Sequence, residues 1–366
     1  MAIIKKNTVG PSLYYATDKN IFDALNQHKV NSKVISQLFL RRNILISNKT
    51  PKEELAKYFS TLAHDYHDHQ AIAARLGVAS RRERTTSMEV EGIQSASDLK
   101  GAINQLKNEL EENGDVVQME QDGDVLRVRI QHTEIDYRRS EFLQAQIRDG
   151  VIEFIKSGKD YVVRNTQTEY INNVRDLLLD KADKDEEQPL VKHVISMFDI
   201  PSVTLRTKFF YELASSLPGF RRDDVTDVYI FKPSPDSPML DAEEAEGDND
   251  YHHVERVFLR GKGVSQSELL NELLDDEDYY IVKIGWRAEQ EMGKGHAYEI
   301  EAAFSDIRDC EGFSFILRGV YPRENEDISS RKRTPYRDEI DLISKVVETR
   351  AREILTELRA DSLVKE

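Results

Sequence analysis

One cysteine, Cys310, occurs in 366 residues. That scarcity excludes an intramolecular disulfide and any zinc site built on several thiolates. A lone thiol followed by Glu311, Gly312 and Phe313, in a strand-like stretch, fits a small core residue better than a nucleophile. The expected compartment is therefore reducing, and the expected location cytoplasmic. Long apolar runs are also missing. No window approaches the roughly 18 apolar residues of a spanning helix, so no membrane partner is expected. Met1 to Lys6 carries two lysines without the apolar run of a signal peptide.

Several catalytic signatures are missing as well. Gly261-Lys262-Gly263 lacks the upstream spacing of a phosphate-binding loop. Glu153-Phe154-Ile155-Lys156 places its acid and lysine on opposite faces of a strand, one residue out of step with a restriction-type nuclease core. No serine-centred nucleophile elbow is present. Gly293-Lys294-Gly295-His296 reads as a turn.

Positive charge is scarce overall and unevenly placed. The chain carries a net charge of −16. Residues 31–84 nevertheless hold ten Lys and Arg against five acids, a local +5 that leaves −21 for the remainder. Residues 233–255 are the opposite extreme, with eight acids, three prolines (Pro233, Pro235, Pro238) and no Lys or Arg. They read as a solvated acidic linker or loop; Asp248-Asn249-Asp250 lacks the ligand register of a calcium loop. The sharper readings of the same stretch are a docking strip for a basic partner and an autoinhibitory mimic of nucleic acid that covers the basic module.

The expected class is α+β. A helical basic module (1–92) precedes an α+β domain (93–232), the acidic segment (233–255) and an antiparallel sheet closed by a long C-terminal helix (256–366). In the first module Thr50-Pro51-Lys52-Glu53 suggests a helix start, with Thr50 as cap and Glu53 bonding back to it. Leu55, Tyr58, Phe59 and Leu62 would form its buried stripe. Val34, Ile35 and Leu38 make a shorter stripe before it, and Ile44 to Ile46 is an apolar, extended link between the two. A further helix is expected from His69 to Leu76, stopped by Gly77.

Further on, hairpins are expected across Asp122-Gly123 and across Ser157-Gly158-Lys159-Asp160. A period-two strand places Tyr280, Val282, Ile284 and Trp286 on one face. Ile340, Ile343, Val347, Ala351, Ile354 and Leu358 keep helical spacing after Thr334-Pro335, either to cover a sheet or to meet another subunit. The arrangement of residues 31–63, resting on Leu38, Ile44, Thr50, Leu55 and Leu62 with basic residues between, resembles the SAP-type helix–extended loop–helix motif. That resemblance covers under a tenth of the chain and implies a small DNA-binding or recruitment fold.

Two clusters carry candidate chemistry. Arg41, Arg42, Lys49, Lys52, Arg81, Arg82 and Arg84 could meet phosphates, the densest run being Ser80 to Arg84. His64-Asp65-Tyr66-His67-Asp68-His69 holds three of the nine histidines. His64, Asp65, His67 and Asp68 could serve a metal-dependent phosphohydrolase or nuclease, because adjacent His-Asp pairs occur in His-Asp phosphohydrolases. That chemistry needs an upstream histidine and a distant aspartate; His28 and any of several aspartates could be nominated, and nothing singles one out. A polar helix-to-turn junction is the plainer reading of the same residues.

The leading expectation is a cytoplasmic protein that binds rather than catalyses, without a cofactor. It would be a nucleic-acid-associated recruitment subunit of a larger assembly, of the accessory kind found in bacterial mobile-element and phage-defence loci. Its partners would be nucleic acid of unspecified type and a protein, or a second copy met through residues 335–360. The rivals are the metal-dependent enzyme and a purely structural interaction subunit.

Overall fold

A computed structural model describes residues 16–27, 30–76, 83–93, 95–138, 141–183, 189–233, 255–275, 278–291, 295–324 and 327–364. The acidic stretch therefore lies almost wholly outside the described residues, as do His28, Gly77, Arg81 and Arg82. Four helices come first: α1 (Asp18–Asn26), α2 (Ser32–Arg41), α3 (Lys52–Ser60) and α4 (Tyr66–Leu76). Strand β1 (Thr85–Glu91), helix α5 (Ala96–Glu112) and strands β2 (Val116–Asp122) and β3 (Val125–Ile135) follow. Next are α6 (Glu141–Gln144), β4 (Ala145–Ser157), β5 (Asp160–Thr166), α7 (Glu169–Ala182) and β6 (Val191–Val194). Helix α8 (Val203–Ser215) leads to β7 (Phe220–Phe231), β8 (Arg256–Arg260) and α9 (Glu268–Asp275). Strands β9 (Tyr280–Gln290), β10 (Ala297–Asp306) and β11 (Glu311–Tyr321), the short pair β12 (Arg323–Glu324) and β13 (Asp327–Ile328), and α10 (Arg337–Val364) complete the chain. The class is α+β, with antiparallel strand pairing and a long C-terminal helix.

The chain forms two compact units that interleave in sequence. Unit one comprises Met1–Arg82, Ser95–Ile152 and Asp176–Ala182; unit two comprises Glu83–Gln94, Glu153–Arg175 and Asp183–Glu366.

In unit one the helices start on short polar side chains that satisfy the exposed first-turn amides. Thr17 and Asn20 form a capping box on α1, with Thr17 N donating to Asn20 Oδ1 at 2.9 Å. Asn31 Oδ1 accepts from Val34 N at 3.0 Å to start α2. Helix α3 departs from expectation. Pro51 itself occupies the cap position and makes no side-chain cap bond, so the box expected from Thr50 and Glu53 is not formed. A prolyl ring carries no acceptor for the waiting amides. Ile21, Leu25, Ile35, Leu38, Phe39, Leu55, Phe59 and Ile72 then pack into one buried cluster. Phe39 and Phe59 meet edge-on with centroids 5.0 Å apart. Tyr58, expected inside, is instead 52% exposed and stacks on the outer side of Phe39. Unit one also holds α5, buried through Leu99, Ile103, Leu106 and Leu110, and the β2–β3 hairpin. The hairpin closes across Asp122↔Val125, where Gly123 supplies the left-handed φ of 55° that the turn requires.

Unit two is built on an antiparallel sheet in the order β5-β1-β11-β10-β9-β7-β8, with β6 also paired to β1. Tyr280, Val282, Ile284 and Trp286 alternate into its core as expected. They meet Phe209, Phe210 and Leu213 of α8 and Ile343, Val347, Ala351, Ile354 and Leu358 of α10. The α10 stripe is thus buried within its own unit, the sheet-covering alternative of the two expected for it. Where α10 and β5 approach, a buried polar layer replaces the apolar one: Arg164 reaches Glu348 at 2.5 Å and Glu153 at 3.3 Å. Cys310 is fully buried, and that burial pushes its thiol up to about 12, which suits packing and not attack. Among the described residues no helix is long and apolar enough to cross a membrane.

Candidate nucleic-acid interface

Within unit one, α2, the extended stretch Ile44–Ser47 and α3 form a helical hairpin around the Phe39–Phe59 contact. Its turn is set by Asn43, whose φ of 58° is left-handed, and by Ile44 N donating to Phe39 O at 3.0 Å. An asparagine tolerates that conformation and ends helices as glycine does. Arg41 is the last residue of α2 and Arg42 its cap, about 100° further round the helix axis, so the two side chains have different fates.

Arg42 turns inward. Its guanidinium lies 5.0 Å from the Phe59 ring centroid, ion-pairs with Asp68 and donates to His64 Nδ1 at 2.9 Å. Since Arg can only donate, His64 Nδ1 accepts and Nε2–H donates to Phe59 O at 2.9 Å. The imidazole is neutral in this arrangement. Burial, above all, lowers its pKa; the Phe59 carbonyl acts upward, Arg42 downward.

Asp65 precedes α4 and caps it. Its Oδ1 accepts from Asp68 N at 2.9 Å, while Asp68 Oδ2 accepts from Asp65 N at 3.3 Å. His67 is exposed on the first turn, with its ring 5.9 Å from that of Tyr66. His69 is buried against Phe142. The cluster thus joins the end of α2 to the start of α4. Among the described residues, no group of three or more His, Cys, Asp or Glu is placed to hold a metal ion.

Lys52 also turns inward. Its Nζ donates to Asn26 O at 2.9 Å and to Gln27 O at 2.5 Å, capping the carbonyl end of α1. Arg84 lies in unit two, paired with Glu301. Arg81 and Arg82 fall outside the described residues. Arg41, at the last turn of α2, and Lys49, in the link, are exposed and form no ion pair among the described residues. Leu45, between them in sequence, is 86% exposed, and Leu40 and Tyr58 are more than half exposed. The exposure of these last three is not legible in the residue pattern, where each sits beside apolar residues that are buried or partly buried. No protein-family model and no curated protein sequence matches the chain.

Proposed function

We propose that the protein acts by binding, as a nucleic-acid-associated recruitment subunit of a larger cytoplasmic assembly, with the α2–link–α3 hairpin as its contact. The observation that carries this reading is the pairing of two solvent-facing cations, Arg41 and Lys49, with the exposed Leu45 between them in sequence. The cations would neutralise backbone phosphates, and Leu45 and Tyr58 would pack against sugars or base edges. Arg42 and Lys52 act as positioning residues that hold the hairpin's shape. Acidic surface elsewhere on the chain, whose net charge is −16, would serve protein contacts.

The test is a gel-shift and anisotropy series with DNA and RNA, single- and double-stranded, across salt. The double variant Arg41→Glu/Lys49→Glu is expected to lose about tenfold or more in affinity and to flatten the salt dependence by about two phosphate contacts. An unchanged affinity with an unchanged salt slope contradicts the reading.

A further inference from the structure

The core of unit two occupies one face of its sheet, and alternation turns the next set of side chains to the other face. On that other face the register aligns Phe258, Tyr229, Lys283 and Ala303 across β8, β7, β9 and β10. Two residues along, it aligns Arg260, Asp227, Gly285 and Glu301. Asp227 and Glu301 are each 2% exposed. Asp227 lies over Gly285, in space that a Cβ would fill, so the carboxylates form a floor.

The cations lie above that floor. Lys283 is 3.2 Å from Glu301, Arg318 pairs with both carboxylates, and Arg84 pairs with Glu301. Arg256 and Arg260 add two exposed guanidinium-bearing side chains that form no ion pair among the described residues. Three cations thus pair with the two carboxylates, Arg260 lies in register with Asp227, and Arg256 stands four residues further along β8, in a chain whose net charge is −16. The excess is felt locally. Burial, and then the fields of Arg84, Arg318 and Arg260, hold the Lys283 ammonium below the usual lysine range against the pull of Asp227.

Phe258 distinguishes this face from a simple basic patch. Its ring is 51% exposed on the terminal strand of the sheet, 6.5 Å from Tyr229 and 5.7 Å from the Lys283 ammonium. Arg256 and Arg260 flank it at two residues on either side.

We propose that this face binds single-stranded nucleic acid, with a base stacked on Phe258 and the flanking phosphates met by Arg256, Arg260 and Lys283. A flat aromatic ring between cations suits an unpaired base joined to charged linkages. In a duplex the base faces are already stacked. An acidic peptide would use the cations and gain little from the ring. The site stands on residues separate from the α2–α3 hairpin, so either can fail alone.

The experiment uses the full chain carrying Arg41→Glu/Lys49→Glu, which removes the hairpin's contribution. Fluorescein-labelled 20-nucleotide single strands of DNA and RNA, the matching duplex and polyglutamate are titrated against this parent, Phe258→Ala, Phe258→Trp and Arg256→Glu/Arg260→Glu. All variants are exposed edge-strand changes, and a thermal melt checks each fold. Phe258→Ala is expected to weaken single-strand binding at least about fivefold and to leave duplex binding unchanged, with Phe258→Trp restoring it. Arg256→Glu/Arg260→Glu is expected to weaken binding further and to reduce its salt dependence. The proposal is overturned if the parent binds no single strand, if Phe258→Ala binds as the parent does, or if polyglutamate competes equally well and independently of Phe258. That last result would assign the face to an acidic protein.

Discussion

Arg42 and Asp68, 26 residues apart in sequence, form an ion pair that joins the end of α2 to the first turn of α4. The same guanidinium donates to His64 and covers the Phe59 ring, so one side chain fixes three elements. Arg42→Ala is expected to destabilise unit one by about 2 kcal/mol, the scale of hydrogen bonds to a charged group with a cation–ring contact added. Arg42→Lys should recover less than half of that, because one ammonium cannot span His64 and Asp68 while lying flat on Phe59. Urea unfolding followed by helical circular dichroism measures both.

His64 gives the same junction a pH dependence. Its folded-state pKa is lowered from the ordinary 6.5, chiefly by burial. Between the folded value and 6.5 the unfolded chain holds the proton and the folded chain does not, so stability rises with pH through that window. The contribution is complete above 6.5 and is lost as pH falls toward the folded value. His64→Phe, which keeps a ring in the cluster but cannot titrate, should show a smaller loss of Tm on acidification than the parent. Melts at pH 7.5, 6.0 and 5.0 make the comparison.

In unit two, Arg164 neutralises Glu348 and Glu153, which are 3% and 8% exposed. Removing the guanidinium leaves buried carboxylates with weakened compensation, and Arg164→Ala is expected to destabilise by about 3–5 kcal/mol. Arg164→Met combined with Glu348→Leu should recover most of the loss, since the pair's desolvation offsets much of its attraction. A double-mutant cycle by denaturant unfolding tests this.

Cys310 provides a probe of the same unit. Buried, with its thiol pushed up to about 12, it should react with a thiol reagent only as fast as unit two opens. Labelling at a rate close to that of a free thiol at neutral pH would contradict the burial.

Local patterns were readable in the sequence. The alternation of Tyr280 to Trp286, the α10 stripe and the glycines at the two hairpins each depend on near neighbours, and the structure places them as expected. What was not readable came from distant contacts. Arg41 and Arg42 are adjacent and chemically identical, yet one faces solvent and the other lies on Phe59, because only the second falls on the side of α2 that meets α3 and α4. Lys52 looks like a surface cation until α1 ends beside it. The alternation Arg256, Phe258, Arg260 was visible in the sequence. Its meaning depends on distant strands, because the face that β8 joins is assembled from β7, β9, β10 and β11.

The most direct measurement is the affinity of the full chain for a labelled oligonucleotide as salt is raised, with and without Arg41→Glu/Lys49→Glu. Tight binding that falls steeply with salt, and a variant with lower affinity and a shallower slope, are the expected results. An unaltered protein that binds neither DNA nor RNA at low salt, or a variant whose curve overlays it, would contradict nucleic-acid recruitment by this hairpin.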